Sequence, residues 1–327
     1  MAVPHLRRSF RSNADDRWEQ QPRGGAACLR PTCRGTDDSS IRQTVSVGSL
    51  VRVLGPADVA AAIALTERNP VQHCFVRSRI EATGLDPWRS QGELWGFDED
   101  GVVTALLYMG ANAVPVEAHE SARVAFATRA RGRGRRCSSL VGPADEVMDL
   151  WNRIGVAWGS AREVRSNQPV MAIDRQPGVT SDESVRFSEP HEIDAVLPAC
   201  IAMFTEEVGV SPTAHGAGPA YRARIVELIE TKRSFVRIDD GRVVFKAEIG
   251  SVAGGVCQVQ GVWVHPDRRG QGLAAACMAR VVELAREHIA PSVSLYVNDF
   301  NERARHVYEQ VGFDYVGRFA TVLLAMD

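Results

Sequence analysis

An apolar strand pattern in this chain runs directly into an arginine- and glycine-rich turn, which opens an alanine-rich helical segment. The stretch is VQGVWVHPDRRGQGLAAACM, residues 259–278. A helix start offers backbone N–H groups that lack partners inside the helix, together with the positive end of the helix dipole. Gly270 and Gly272 remove side chains from the turn, and Arg268 and Arg269 add positive charge beside it. The arrangement is typical of a pyrophosphate site.

The spacing within this turn differs from two other phosphate-binding motifs. GxxxxGK[ST] is absent, and the turn is not the dinucleotide fingerprint GxGxxG. Arg269-x-x-Gly272-x-Ala274 instead resembles the R/Q-x-x-G-x-G/A signature of the GCN5-related N-acetyltransferases (GNATs), and the preceding V-x-V-x-P run looks like the fourth strand of that family. A second stretch, NDFNERARHVYEQVGF at 298–313, is similar to the family's N-x-x-A-x-x-x-Y-E-x-x-G-F pattern. Together the motifs cover most of the second half of the chain and predict a GNAT fold there.

The resemblance implies a ligand and a reaction, namely acetyl-CoA as co-substrate and transfer of its acetyl group to an amine. The pantetheine arm would lie along the fourth strand, and the turn would hold the pyrophosphate. The cofactor-binding residues implied in this way are Val262, Trp263, Val264, Arg269, Gly270, Gln271, Gly272, Leu273, Ala274, Asn301 and Tyr308. Asn301 would contact the pantetheine or the helix start.

Two catalytic roles follow from the same resemblance. The backbone N–H of Val262 would stabilise the oxyanion, and Tyr308 would protonate the departing thiolate. Taken without the family pattern, Tyr308 lies one turn after Ala304 on an apolar helix face and could be a packed core tyrosine.

The general base is less clearly indicated by the sequence. Some GNATs carry a glutamate where this chain has Gln258, which accepts no proton at neutral pH. Glu248, at the end of the predicted third strand, is the candidate base, and Glu206 and Glu207 are alternatives. A water relay, or an acceptor amine with a lowered pKa, would serve as well.

Two segments in the first half of the chain are similar in sequence to two segments in the second half. LVRVLGPADVAAAIAL at 50–65 resembles SVRFSEPHEIDAVLPA at 184–199, and each reads as a strand, a proline and a helix. ELWGFDEDGVVTALLYMG at 93–110 resembles SFVRIDDGRVVFKAEIG at 234–250, and each reads as two strands joined by an Asp-Gly turn. The pieces are common singly, but their matching order and offset predict a duplicated domain.

The polar stretch DRQPGVTSDES holds a proline and a glycine, as linkers do, and separates the two halves. The predicted organisation is a disordered tail at 1–45, a GNAT-like accessory domain at 46–176 that has lost cofactor binding, and a GNAT acetyltransferase domain at 184–327. The accessory domain would shape or cover the acceptor site, or mediate assembly.

The second half predicts an α+β fold with one mixed sheet and helices on both faces. The predicted elements are a strand at 185–187, helices at 192–204 and 219–231, a hairpin at 235–249, a strand at 256–264, a helix at 270–288, a strand at 292–297, a helix at 301–311, and strands at 314–316 and 318–324.

Several other motifs have simpler interpretations. Arg129-x-x-Gly132-x-Gly134 also fits the CoA signature, but no V-x-V-x-P strand precedes it, so the polar end of a helix is favoured over a basic binding patch. Cys257 and Cys277 fall on apolar faces and are expected to be buried thiols rather than nucleophiles. The close pair Cys28 and Cys33 has no second ligand pair at zinc-site spacing, so no metal is expected.

Composition excludes some functions and leaves others open. A net charge of −2 favours neither nucleic acid nor a membrane surface as partner, and no apolar run approaches the ~20 residues that span a bilayer. The start lacks the apolar region of a secretory signal, and the seven scattered cysteines fit a reducing cytoplasm. The expected protein is a cytoplasmic N-acetyltransferase acting on a small-molecule or protein amine, with its oligomeric state open. The alternative is a non-catalytic acyl-CoA-binding sensor or scaffold.

Overall fold

A computed structural model describes residues 51–89 and 91–325 of the 327-residue chain. The tail predicted at 1–45, with Cys28 and Cys33, lies outside the described residues. The strands are β1 (Val51–Val53), β2 (Glu93–Glu99), β3 (Val102–Met109), β4 (Asn112–Val116), β5 (Ser139–Pro143), β6 (Ala161–Ile173), β7 (Arg186–Phe187), β8 (Ser234–Asp239), β9 (Arg242–Ala253), β10 (Val256–Val264), β11 (Ser292–Tyr296) and β12 (Asp314–Leu324). The helices are α1 (Val59–Thr66), α2 (Pro70–Thr83), α3 (Glu120–Arg133), α4 (Ala144–Trp158), α5 (Ile193–Val208), α6 (Gly218–Glu230), α7 (Leu273–His288) and α8 (Glu302–Val311).

All twelve strands of the described chain form one mixed sheet, in the order β1-β2-β3-β4-β5-β12-β6-β11-β10-β9-β8-β7. Read inward from either edge, the first five strands follow the same plan. Three antiparallel pairings lead to one parallel pairing, which is β4 with β5 at one side and β10 with β11 at the other. The two halves of the chain thus share the same strand connectivity, as the similarity between their sequences predicts.

The last strand of each half lies in the half of the sheet that belongs to the other. β12, from the end of the chain, lies between β5 and β6, while β6, from the first half, lies between β12 and β11. The two exchanged strands pair antiparallel along nearly their full length, from Asp314 opposite Ala172 to Leu324 opposite Ala161. The halves are therefore joined through backbone hydrogen bonds, and the predicted division between 176 and 184 stays a prediction about domains.

The hydrophobic cores follow the same exchange. Met171 and Ile173 of β6 are buried in the core under α7 and α8, while Ala320 and Val322 of β12 are buried in the core under α3 and α4. Burying a side chain of the size of Met171, Ile173 or Val322 contributes about 1.5–3 kcal/mol. Each half therefore owes part of its hydrophobic stabilisation to a strand of the other.

Helices cover both faces of the sheet, because neighbouring residues on a strand point to opposite sides. In β8, Phe235 packs into the core beneath α7 and α8, and the next residue, Val236, packs beneath α5 and α6. Leu107 and Leu106 of β3 divide in the same way between α3–α4 and α1–α2. The predicted α+β class, with a mixed sheet and two layers of helices, is confirmed.

Several boundaries differ from the sequence prediction, and β9, for example, continues to Ala253 rather than ending at 249. α7 begins at Leu273 rather than at 270, because Gly270 and Gly272 have φ near +76° and +75°, which an α-helix does not use. α5 continues to Val208. The two strands predicted at the end of the chain form the single strand β12, in which a register shift between Tyr315 and Gly317 interrupts the alternation without ending the pairing.

The strand exchange predicts that residues 184–327 alone do not form a stable monomer. Without β6, both β11 and β12 would lose a pairing partner, and the core would lose Met171 and Ile173. We expect size-exclusion chromatography and thermal denaturation to show aggregation or pairing between copies, without one cooperative transition. Co-expression of 47–183 with 184–327 is the control and should give a soluble complex. A monomeric 184–327 that melts as cooperatively as the full chain would contradict the interdependence.

Candidate functional site

An opening in the sheet separates the two parallel strands β10 and β11. They pair only from Val256 to Gln258, opposite Ser292 to Ser294, although β10 continues for six further residues to Val264. On its other edge, β10 shifts register against β9 between Gln260 and Trp263. Beyond the third pair, the backbone of β10 is thus turned toward a gap, where an extended ligand can lie beside it.

A glycine is required at the kink in β10. Gly261 has φ +59°, and a Cβ there would lie 2.9 Å from Met203 Cε and 3.3 Å from Lys246 Nζ. Any other residue would strain the backbone and displace these two side chains. The kink directs the following residues, Val262 to Val264, along the gap.

The turn after β10 is built as the sequence suggests. One turn of 3-10 helix covers Pro266–Arg268, and the Gln271 side chain donates a hydrogen bond to the carbonyl oxygen of Asp267 at 2.9 Å. A Cβ on Gly270 or Gly272 would meet nothing within 4 Å, so open space lies in front of both glycines. The first backbone N–H groups of α7, beginning at Leu273, have no acceptor within the helix. The turn therefore offers N–H donors and room for an anion.

A cavity of about 510 Å³ joins the turn to the gap between the strands. It is lined by all but one of the residues predicted to bind the cofactor; the exception is Gln271, whose side chain braces the turn instead. The predicted residues on its wall are Val262, Trp263, Val264, Arg269, Gly270, Gly272, Leu273, Ala274, Asn301 and Tyr308. Arg268, which the sequence places beside the turn, lines the same wall, and so do Arg303 and Gln310, which the sequence did not indicate.

Asn301 begins the second helix at this site. Its side-chain oxygen accepts a hydrogen bond from the Ala304 N–H at 3.2 Å, which caps α8, and Gly312 ends the helix in the left-handed conformation. The cap fixes the start of the helix that carries Tyr308. The side chain thus contacts the helix start, one of the two roles that the resemblance implies for it.

A second cavity, of about 770 Å³, adjoins the first on the far side of the gap. The residues shared by both cavities are Glu206, Val262, Trp263, Asn301 and Tyr308. Its remaining walls come from α5, α6, β9, β10 and β11, and from Glu163, Arg165 and Gln168 of β6. The first half of the chain thus supplies part of a cavity in the second half.

Tyr308 is buried but reaches both cavities. Its ring packs edge-on against Phe313 at 5.8 Å within the core beneath α7 and α8. Burial, reinforced by the nearby charge of Glu207, raises the pKa of its hydroxyl above the usual value. The ring of Tyr308 is therefore part of the hydrophobic core. Its hydroxyl stays protonated at neutral pH.

The candidate carboxylates differ in their partners. Glu248 lies within β9, not at the end of the strand as expected, and forms a buried ion pair with Lys246. Glu206 accepts hydrogen bonds from Trp263 at 3.2 Å and from Arg269 at 2.7 Å. Lys246 is fully buried, and although burial disfavours its charge, the attraction of Glu248 raises its pKa above the usual value.

Glu207 differs, because its carboxylate has no ion-pair partner among the described residues and faces the larger cavity. The residue is exposed on the wall of that cavity, and partial desolvation there raises the pKa of its carboxylate. Arg165 opposes the shift and donates a hydrogen bond to the Glu207 carbonyl oxygen at 2.9 Å. Glu207 is thus an available proton acceptor at this site.

Gln258 does not belong to the wall of either cavity. It lies in β10 between Ser251 of β9 and Ser294 of β11 and is 9% exposed. The position at which some GNATs carry a glutamate is therefore occupied by an uncharged, buried side chain in this chain.

The corresponding helix start in the first half has a carboxylate beside it. The Ala118 N–H, two residues before α3 begins, donates a hydrogen bond to Glu146 at 3.0 Å, and burial raises the pKa of Glu146 to about 7. The CoA-like match at 129–134 forms the end of α3, where Arg129 stacks on Trp95 at 4.9 Å. The helix-end interpretation of that match is confirmed.

The cysteines of the described chain are buried. Cys257 and Cys277 are buried free thiols, and burial raises the pKa of each to about 12. Within the described ranges, no group of His, Cys, Asp and Glu side chains could hold a metal ion. None of the helices described is both long and apolar enough to cross a bilayer.

Two family models match parts of the chain. The family model described as Acetyltransferase (GNAT) family matches residues 203–313, and a domain of unknown function, DUF4081, matches residues 92–196. A search of curated proteins found no match.

Solved structures support the fold over most of the chain. A GNAT-family acetyltransferase from Colwellia psychrerythraea is 11% identical with a TM-score of 0.50, covering 84% of this chain and 99% of that one. A GCN5-related N-acetyltransferase from Sphaerobacter thermophilus is 18% identical with a TM-score of 0.50, covering 83% and 93%. A Drosophila protein is 13% identical with a TM-score of 0.54, covering 85% and 99%. At these identities the likeness concerns the fold.

The buried ion pair between Lys246 and Glu248 makes a prediction about stability. Lys246→Met should destabilise the protein by about 3–5 kcal/mol, because it leaves a buried carboxylate without its partner. The double variant Lys246→Met, Glu248→Leu should recover most of that loss. Urea denaturation at neutral pH measures both. If the single and double variants lose equal stability, the loss in Lys246→Met does not come from leaving the Glu248 carboxylate unpaired.

Proposed function

This chain belongs, through residues 203–313, to the GNAT acetyltransferase family, and we propose that it is an N-acetyltransferase that uses acetyl-CoA to acetylate an amine. The observation that carries the proposal is the parting of β10 and β11 beside the glycine turn, with Tyr308 on the wall of both adjoining cavities. The smaller cavity would hold acetyl-CoA and the larger one the acceptor.

The residues of the smaller cavity fit the cofactor. The N–H groups at the start of α7 would bind the pyrophosphate, and the space in front of Gly270 and Gly272 leaves room for it. The backbone of Val262, Trp263 and Val264 would pair with the pantetheine amides as an added strand does. Bound there, acetyl-CoA supplies an activated acetyl thioester.

The chain itself would move the protons and stabilise charge. An alkylammonium with a pKa near 10 must lose a proton before it can attack, and we assign that role to Glu207 rather than to Glu248, whose carboxylate is paired with Lys246. The Val262 N–H would donate to the carbonyl oxygen as negative charge develops. Tyr308 would donate its proton to the departing sulfur.

The first half would act by shaping the acceptor cavity. Glu163, Arg165 and Gln168 of β6 lie on its wall, and Arg165 binds the last turn of α5 through the Glu207 carbonyl. Gln168 donates a hydrogen bond to Asn298 at 2.9 Å and so ties β6 to the segment between β11 and α8. The acceptor would be an amine on a small molecule or a protein.

The cofactor site is tested by Gly272→Glu. The carboxylate would enter the space reserved for the pyrophosphate and repel it, so we expect CoA binding to weaken by about 100-fold or more, in line with the cost of a like charge in an anion site. Gly101→Glu is the matched control, because Gly101 also has a positive φ and open surroundings but lies in the β2–β3 turn. Isothermal titration with CoA measures both. Equal affinity in wild type and Gly272→Glu would contradict the site.

The proton donor is tested by Tyr308→Phe. Loss of a general acid typically lowers a rate by about 10²–10⁴-fold, so kcat should fall within that range while CoA affinity is retained. Release of CoA thiol across a panel of primary amines is the assay, and Tyr315→Phe, at an exposed tyrosine of β12, is the control. If wild type binds CoA but acetylates no amine, and Tyr308→Phe changes nothing, the chain is an acyl-CoA-binding sensor.

A further inference from the structure

One ion pair lies at the boundary between the two cavities. Glu206, in the last turns of α5, is the only carboxylate shared by their walls within the described chain. One of its oxygens accepts a hydrogen bond from the Trp263 indole N–H at 3.2 Å, and the other accepts one from the Arg269 guanidinium at 2.7 Å. Arg269 also donates from Nε to the Val264 carbonyl oxygen at 2.9 Å.

Arg269 therefore binds one anion, Glu206, and lies where the proposed function places a second. Its guanidinium binds Glu206, yet the residue also opens the glycine turn, where the proposed function places the pyrophosphate. The ion pair is partly exposed, with 38% of the Arg269 side chain and 46% of the Glu206 side chain accessible. Such a pair contributes at most about 1 kcal/mol, because water screens it. A pyrophosphate carries more charge and also gains the helix N–H groups, so it would displace the carboxylate.

We propose that Glu206 is a positioning residue that couples the two sites: cofactor pyrophosphate and Glu206 compete for Arg269, and cofactor binding releases the carboxylate toward a cationic acceptor amine. The inference rests on the proposed function, since it requires CoA in the smaller cavity. It adds a residue that the resemblance does not assign and a chemical reason for one site to sense the other.

The released carboxylate would not move far. Trp263 is 7% exposed and its indole N–H still holds one oxygen of Glu206, so the side chain stays at the shared wall. The other oxygen, freed from Arg269, then has the acceptor cavity in front of it. Glu207, the next residue in α5, presents its unpaired carboxylate to the same cavity. Two neighbouring carboxylates would favour an acceptor that arrives as an ammonium ion over a neutral or anionic one.

A double-mutant cycle tests the competition. Glu206→Gln keeps the shape and the hydrogen bond from Trp263 but weakens the hold on Arg269, so CoA should bind about 2- to 5-fold more tightly, as the loss of an exposed ion pair allows. In an Arg269→Gln background the same change should have no effect on CoA affinity. Glu207→Gln, which removes one charge a single residue away, should leave CoA affinity within about 1.5-fold, since it breaks no ion pair.

Isothermal titration of CoA into the four proteins of the cycle and the control gives the result directly. Unchanged affinity in Glu206→Gln, or the same gain with and without Arg269, would overturn the inference. Failure of wild type to bind CoA would instead overturn the proposed function.

The effect of Glu206 on the acceptor is measured separately, by the KM for the amine. At saturating acetyl-CoA, Glu206→Gln should raise the KM for the best amine of the panel about 5-fold, the cost of losing one partly exposed ion pair. An unchanged KM would refute the proposed effect of Glu206 on acceptor binding.

Discussion

The short pairing between β10 and β11 is the constraint on which the rest of the site depends. The two strands share three residue pairs and then part, while the other edge of β11 stays paired with β6 from Val293 to Tyr296. β6 in turn is held by β12 along nearly its whole length. A strand from the first half of the chain thus supports the β11 side of the opening, and residues beside the opening line both cavities.

The duplicated halves share one topology but differ at the helix start that follows the parallel strand pair. Both halves reach a parallel strand pair followed by a helix. In the second half, Gly270 and Gly272 leave the helix start open, whereas in the first half Glu146 accepts a hydrogen bond from the Ala118 N–H, two residues before α3 begins. The first half thus has a carboxylate beside the helix start, where the second half has open space. The difference between the halves therefore lies in a few residues at each helix start and not in the strand order.

Local features were predictable from the sequence, and long-range ones were not. The glycine turn, the Asn301 cap and the Gly312 stop carry their information within a few residues, and the structure has each of them where the motifs indicate. The strand exchange carries no local signal, so nothing in the sequence of β6 shows that Arg165 and Gln168 line a cavity of the other half. Such contacts depend on pairing between segments far apart in the chain.

One missed feature did have a signal. Lys246 and Glu248 stand two residues apart in an otherwise apolar strand, so both side chains point to the same face, and opposite charges there predict a pair. That pattern argues against Glu248 as the general base and leaves Glu206 and Glu207 as the candidates.

The central claim, that a CoA pyrophosphate binds at the start of α7 beside the parted strands, is tested most directly by amide hydrogen exchange with and without CoA. The account predicts slower exchange in the peptides that cover 259–278, where the Val262–Val264 backbone and the first N–H groups of α7 would bind the ligand. Exchange at 127–140, the CoA-like match that forms a helix end, should not change. Protection at 127–140 with none at 259–278 would contradict the account.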